Sequence, residues 1–149
     1  MREQRVVEAQ TQRRKEQPMV LTVGGGAQDL PADDDVMITG QMGDCVSVIV
    51  LFNCVDGTYR NIRGWHGLGG SRSINMKQMM RKVPNETATQ VLVIPGRLQQ
   101  SEYAMMQNLR HVRKVKKHGY ENISIRYIEN IFCGAVNRQG VVSASDVLY

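Results

Sequence analysis

Long apolar runs are missing from this 149-residue chain, and none approaches the roughly 20 residues that a helix needs to cross a bilayer. The opening MREQRVVEAQTQRRKEQ has no apolar core segment of the kind a secretory signal peptide carries, so export by that route is not expected. Cysteine is scarce: Cys45, Cys54 and Cys133 are odd in number and irregularly spaced, which argues against a disulfide framework and for reduced thiols in a cytoplasm. There is no CxxC and no HExxH, and His66, His111 and His118 do not fall at zinc-ligand spacings with the cysteines. No metal site is therefore expected. Aromatic residues are also few (one Trp, five Tyr, two Phe) and do not interleave with basic ones, which argues against a stacking platform for single-stranded nucleic acid.

What is present is the composition of an ordinary globular domain, 42% hydrophobic and 22% charged, long enough to bury one core. The formal net charge of +5 comes largely from the N-terminal segment and from Arg110–Lys117. A solvated helix face is the plain reading of the second run; a basic patch for RNA or an acidic protein partner is the functional one.

The pattern predicts a basic tail over residues 1–18, ended by Pro18, followed by a single domain over 19–149. Met19–Val23 is a short strand. Cys45–Phe52 (CVSVIVLF) is apolar on both alternations and reads as a strand covered on both faces. Asp56-Gly57 is a hairpin turn returning as Thr58–Trp65. Ser73 can cap a helix over Ile74–Lys82, and Gln90–Ile94 is a further buried strand. Ser101 caps the longest helix, stopped by Gly119, with Met105, Leu109, Val112 and Val115 as its inward stripe. Strands are expected over Asn122–Ile128, Ile131–Val136 and Gly140–Ser145. The order implies an α+β (layered α/β) fold: a mixed sheet or sandwich core covered by two or three helices.

Chemistry concentrates in Thr39-Gly40-Gln41-Met42-Gly43-Asp44-Cys45 and in Trp65-His66-Gly67. Cys45 follows a glycine-containing bend and opens a buried strand, so its thiol is rigidly held with backbone amides close by, where they can stabilise an oxyanion. The hairpin returns the chain so that His66 ends the neighbouring strand at the same end of the sheet. A Cys–His pair is the minimal activated nucleophile. Thr39, six residues before Cys45, can orient the imidazole through its hydroxyl or a backbone carbonyl. Gly43, Asp44, Trp65 and Gly67 are the accompanying candidates for oxyanion and substrate contacts, although Trp65 is most simply core or pocket wall. Asp44 beside the thiol should raise its pKa.

The Thr39–Val50 segment resembles the active-site block of the chemoreceptor glutamine deamidases (the CheD family), with Thr six residues before Cys, Gly ahead of the Cys, an apolar strand after it, and His following a turn. The same Cys–His arrangement resembles the catalytic domains of cytotoxic necrotizing factor and related bacterial deamidase toxins. Asp44 stands where the chemoreceptor enzymes usually carry Ser, and the interval from Cys45 to His66 is longer than theirs. The resemblance, which spans roughly Val36 to Val142, implies a Cys45–His66–Thr39 triad. It implies a protein-glutamine deamidase whose partner is the target protein carrying the glutamine, with no cofactor needed. The implied setting is a cytoplasm, either the producer's or that of a target cell reached by a toxin or effector through another secretion route. Transglutamination or hydrolysis of an N-terminal asparagine amide would use the same Cys–acyl chemistry. The alternative from a different class is a non-catalytic basic module binding RNA or an acidic protein.

Overall fold

A computed structural model describes residues 19–68, 74–96, 101–127 and 133–145. The expected tail over 1–18 and the expected cap at Ser73 lie outside those residues. The chain forms β1 (Met19–Val20), β2 (Gln28–Asp29), β3 (Val36–Gln41), β4 (Cys45–Val55), β5 (Thr58–Leu68), α1 (Met76–Met79) and β6 (Gln90–Pro95). It continues through α2 (Glu102–Lys117), β7 (Ile123–Ile125), β8 (Cys133–Asn137) and β9 (Val142–Ser145).

β4 and β5 are the framework. Asp56 (φ 52°) and Gly57 (φ 77°) occupy the left-handed region that a tight two-residue hairpin turn demands. From that turn the two strands run in unbroken register, Val55 opposite Thr58, Leu51 opposite Ile62, Ser47 opposite His66 and Cys45 opposite Leu68. The antiparallel strand β6 flanks β4 on its other side, and β7 adds parallel to β6 after the α2 crossover. With β2 on the outer edge of β5, the five-stranded order is β2-β5-β4-β6-β7. A second sheet has the order β1-β3-β8-β9.

The unbroken apolar run of β4 follows from its place between two cores. Ile49 and Leu51, with Leu92 and Ile94 of β6, face the smaller sheet and share a core with its Met37 and Val136. Val46, Val48 and Val50 face the helices and pack with Met76, Met79, Val115 and Tyr120. The layers are thus sheet, sheet and helix, an α+β sandwich. Arg138 ties its far edge, donating to the carbonyls of Pro31, Asp34, Tyr59 and Arg60. Among the described residues no helix is long and apolar enough to cross a membrane.

Two expectations for the helices need correction. α1 is capped by Asn75, whose Oδ1 accepts from the Gln78 amide at 3.0 Å, and it ends after four residues. Lys82, at φ 60°, lies beyond it in a conformation no helix contains. α2 has the expected Ser101 cap and Gly119 stop, but a different face turns inward. Ala104, Asn108, His111 and Val115 are its buried residues, and Val112 is partly buried, whereas Met105 and Leu109 are exposed. The helix is rotated so that small Ala104 is buried and His111 packs against Trp65, their ring centroids 6.4 Å apart.

Candidate active site

The site begins with an irregularity in β3. Its pairing with β8 slips between Ile38 and Gln41, and Gly40 sits there at φ 81°. A side chain at residue 40 would be strained, and its Cβ would stand 3.5 Å from His66 Nδ1. At this bulge the Thr39 carbonyl accepts a hydrogen bond from His66 Nδ1 at 2.6 Å. The Thr39 hydroxyl does different work: it donates to the Gly40 carbonyl and accepts from the Gly134 amide, both at 2.9 Å. Of the two ways in which Thr39 could orient the imidazole, the structure uses the carbonyl, while the hydroxyl braces the backbone that presents it.

A carbonyl can only accept, so this contact assigns the proton of the neutral imidazole to Nδ1 and leaves the Nε2 lone pair available. His66 is fully buried and its Nε2 has no hydrogen-bond partner. Burial pushes its pKa down, and the Thr39 carbonyl opposes that shift only in part.

Cys45 is half-buried at the start of β4. Strand alternation puts its side chain on the same face as Ser47, and Ser47 lies directly opposite His66. Cys45 and His66 are therefore diagonal cross-strand neighbours, a relation that separates such residues by about 7–8 Å. The thiol does not hydrogen-bond Nε2 in this state. Burial, and then the Asp44 carboxylate, push the Cys45 thiol pKa up. With the imidazole pKa depressed and the thiol pKa raised, the resting pair is neutral thiol and neutral imidazole.

The bend before Cys45 is held from behind by Gly96. Its amide donates to the Cys45 carbonyl at 2.8 Å. A Cβ at residue 96 would lie 2.5 Å from the Met42 and Gly43 carbonyls and 2.7 Å from that of Cys45. These carbonyls crowd onto Gly96, so the Gly43 and Asp44 amides, trans to the first two across planar peptides, turn the opposite way. Met42 is buried in the sandwich, and its sulfur accepts from Ser47 Oγ at 2.9 Å.

Cys45, His66 and Thr39 thus share one end and one face of the sandwich, with Gly43 and Asp44 in the adjoining bend. Trp65 and Gly67 do not share that face. Alternation turns Trp65 into the helix-side core, 3% exposed, and its indole lies against the Gly67 backbone. Cys54 sits near the hairpin turn, opposite Tyr59, at the far end of β4. Cys133 is buried opposite Gln41 and adjoins the Gly134 amide that meets Thr39. All three thiols are free. Among the described residues no group of three or more His, Cys, Asp or Glu side chains is placed to hold a metal.

Four participants were missed from sequence: Ser47, Met42, Gly96 and Gly134. Ser47 left a signal, being a hydroxyl two residues after the cysteine in an otherwise apolar strand. The glycines act through contacts far away in sequence and left none. No family model matches the chain, and no curated protein sequence matches it.

Proposed function

We propose that the protein is a cysteine-dependent amide hydrolase that deamidates glutamine side chains of a target protein. The observation that carries this reading is the Thr39 carbonyl on His66 Nδ1, which fixes the tautomer with Nε2 as base on the face that bears Cys45. Nε2 takes the thiol proton as Sγ attacks the carboxamide carbon, and the carbonyl oxygen becomes an oxyanion. Amides of the Gly43–Cys45 bend are the nearest candidates to receive it. The imidazolium then gives its proton to the departing nitrogen, ammonia leaves, and a thioester remains. Water, deprotonated by Nε2, attacks the thioester; the thiolate departs and is reprotonated. Glutamine and water become glutamate and ammonia, and the protein returns unchanged.

The neutral resting pair supports general-base attack over a preformed thiolate–imidazolium pair. Burial of His66 opposes charge on the ring until substrate brings a developing oxyanion to balance it. Resemblance to the chemoreceptor deamidases and the deamidase toxins supports glutamine as substrate; the target protein's cytoplasm is then the place of action.

Selective alkylation tests the thiol chemistry. Iodoacetamide at neutral pH should label Cys45 ahead of Cys54 and Cys133, because Nε2 takes the thiol proton as sulfur attacks the reagent just as it does with substrate, and His66→Ala should remove the preference. Equal slow labelling of all three would sink the reading. Intact-mass measurement of candidate target proteins tests the substrate: hydrolysis adds about 1 Da per glutamine, whereas transamidation adds the mass of the amine.

A further inference from the structure

α2 presents outward a surface that its own fold does not use. Tyr103 (73% exposed), Met105 (44%), Met106 (60%) and Leu109 (45%) occupy its first two turns. The last two turns carry Arg110, Arg113, Lys114, Lys116 and Lys117, and the only acidic residue on the helix is Glu102. Among the described residues none of these five cations takes part in an ion pair. The helix spends buried positions on Asn108 and His111, whose polar atoms have no partners, while it leaves two methionines and a leucine in water. Burial by its own core does not account for that choice.

We propose that the outer face of α2 is a docking surface for an acidic, amphipathic segment of a partner protein. The apolar turns take the partner's apolar side chains, in the spacing by which helices seat in grooves, and the cationic turns take its carboxylates. Charge disfavours two other occupants. The N-terminal segment carries Arg2, Arg5, Arg13, Arg14 and Lys15 against three glutamates and is a poor charge match, and a second copy would set cation against cation. The composition favours protein over membrane. Met is the adaptable residue of protein-binding surfaces, the patch has no Trp or Phe, and exposed Glu102 beside Met105 and Met106 opposes an anionic bilayer.

The location gives the docking a purpose. Gly96 is bonded to the Cys45 carbonyl, and only four residues separate it from Ser101, the cap of α2. Five residue steps span at most about 18 Å, so the cap of α2 lies within that reach of Gly96. α2 covers the sheet face opposite the thiol, so a protein docked on it reaches Cys45 around the Gly96 end of the sheet. That the docked protein is the one deamidated rests on the amide-hydrolase reading; the docking itself does not.

The test uses the full chain and a synthetic acidic amphipathic helix with leucines at i, i+3, i+4 and i+7 and glutamates at its flanks. A peptide of the same composition with the leucines dispersed is the control. Fluorescence anisotropy should show binding of the first and at least about tenfold weaker binding of the second. Binding should weaken as salt rises. Met106→Glu/Leu109→Glu should reduce affinity at least about tenfold, and Arg113→Glu/Lys117→Glu should do the same. A peptide with lysines in place of glutamates should recover binding to the second variant, a readout that general misfolding cannot produce. Three results would overturn the proposal: no preference between the peptides, indifference to both double variants, or tighter binding to phosphatidylserine vesicles or duplex RNA than to the acidic peptide. Iodoacetamide labelling of Cys45 is run in parallel. Selective labelling without peptide binding defeats the docking surface alone, and peptide binding without selective labelling defeats the hydrolase alone.

Discussion

His111 offers the sharpest check on the packing of α2. It is 3% exposed, both ring nitrogens lack partners, and its neighbour Asn108 is equally unsatisfied. Burial, and then the charge of Lys114, lower its pKa from the ordinary 6.5 to about 4. The unfolded chain takes up this proton near pH 6.5 and the folded chain only near pH 4. Stability is therefore intact above the first value, declines as pH falls between them, and has lost the whole contribution below the second. At about 1.4 kcal/mol per pH unit, the contribution reaches about 3 kcal/mol. That is an upper bound, because local opening of α2 admits water before the whole chain unfolds. His111→Leu removes the titration and two unsatisfied nitrogens, and the second effect should stabilise the protein at neutral pH by about 1–3 kcal/mol. The assay is urea unfolding from pH 7.5 to 4, read by Trp65 fluorescence, the one tryptophan being in ring contact with His111. The variant should show a higher midpoint at pH 7 and a shallower fall toward acid. An unchanged acid slope, or a loss of stability at pH 7, would refute the reasoning and mean that His111 is hydrogen-bonded in solution.

Three further outcomes follow from the site. Thr39→Val leaves the buried Gly134 amide without its acceptor, so it should cost about 1–3 kcal/mol and slow the alkylation of Cys45, whereas Thr39→Ser should restore most of both; equal behaviour of the two variants in thermal melts and labelling assays would contradict the brace. Gly96→Ala drives a Cβ into three carbonyls of the Met42–Cys45 bend, so it should lower stability by about 1–3 kcal/mol and alter the alkylation rate of Cys45 while that of Cys54 stays constant. Asp44→Asn removes a charge that raises the thiol pKa, so the Cys45 alkylation profile should shift to lower pH, with faster labelling at neutral pH; a shift to higher pH would show that the carboxylate serves the thiol in another way.

The sequence made the framework legible where local signals were strong. The apolar alternations of Cys45–Phe52, the Asp56-Gly57 turn and the Ser101 and Gly119 helix limits all correspond to observed elements. Because the hairpin register is fixed by its turn, the relation of Cys45 to His66 was legible too. Trp65 was legible as core but not as belonging to the helix-side core: alternation assigns it to the opposite face from His66, and a one-residue difference decides between two cores. The inward face of α2 was misread because Met105 and Leu109 keep helical spacing as well as Ala104 and Val115 do. Periodicity finds a stripe but cannot tell a core from a docking surface. The Thr39 brace depends on Gly134, 95 residues distant, a contact that no local pattern encodes.

The two buried histidines bear on how any acid limb of activity should be read. Trp65 and His66 are consecutive on β5, so the strand sends one side chain to His111 in the helix layer and the other to Thr39 in the sandwich. Both imidazoles are neutral in the fold because burial lowers their pKa values, and both take up protons more readily when the chain unfolds. On the amide-hydrolase reading, a fall in activity below neutral pH combines protonation of Nε2 with loosening of α2, both as pH falls. The His111→Leu background separates them. There, acid loss that persists with Trp65 fluorescence unchanged belongs to His66, and its midpoint should lie below the ordinary histidine value, the direction in which burial shifts it. A midpoint above that value would mean that His66 is stabilised as imidazolium by the Cys45 thiolate. The pair would then rest charged, and general-base attack would have to be abandoned for a preformed ion pair.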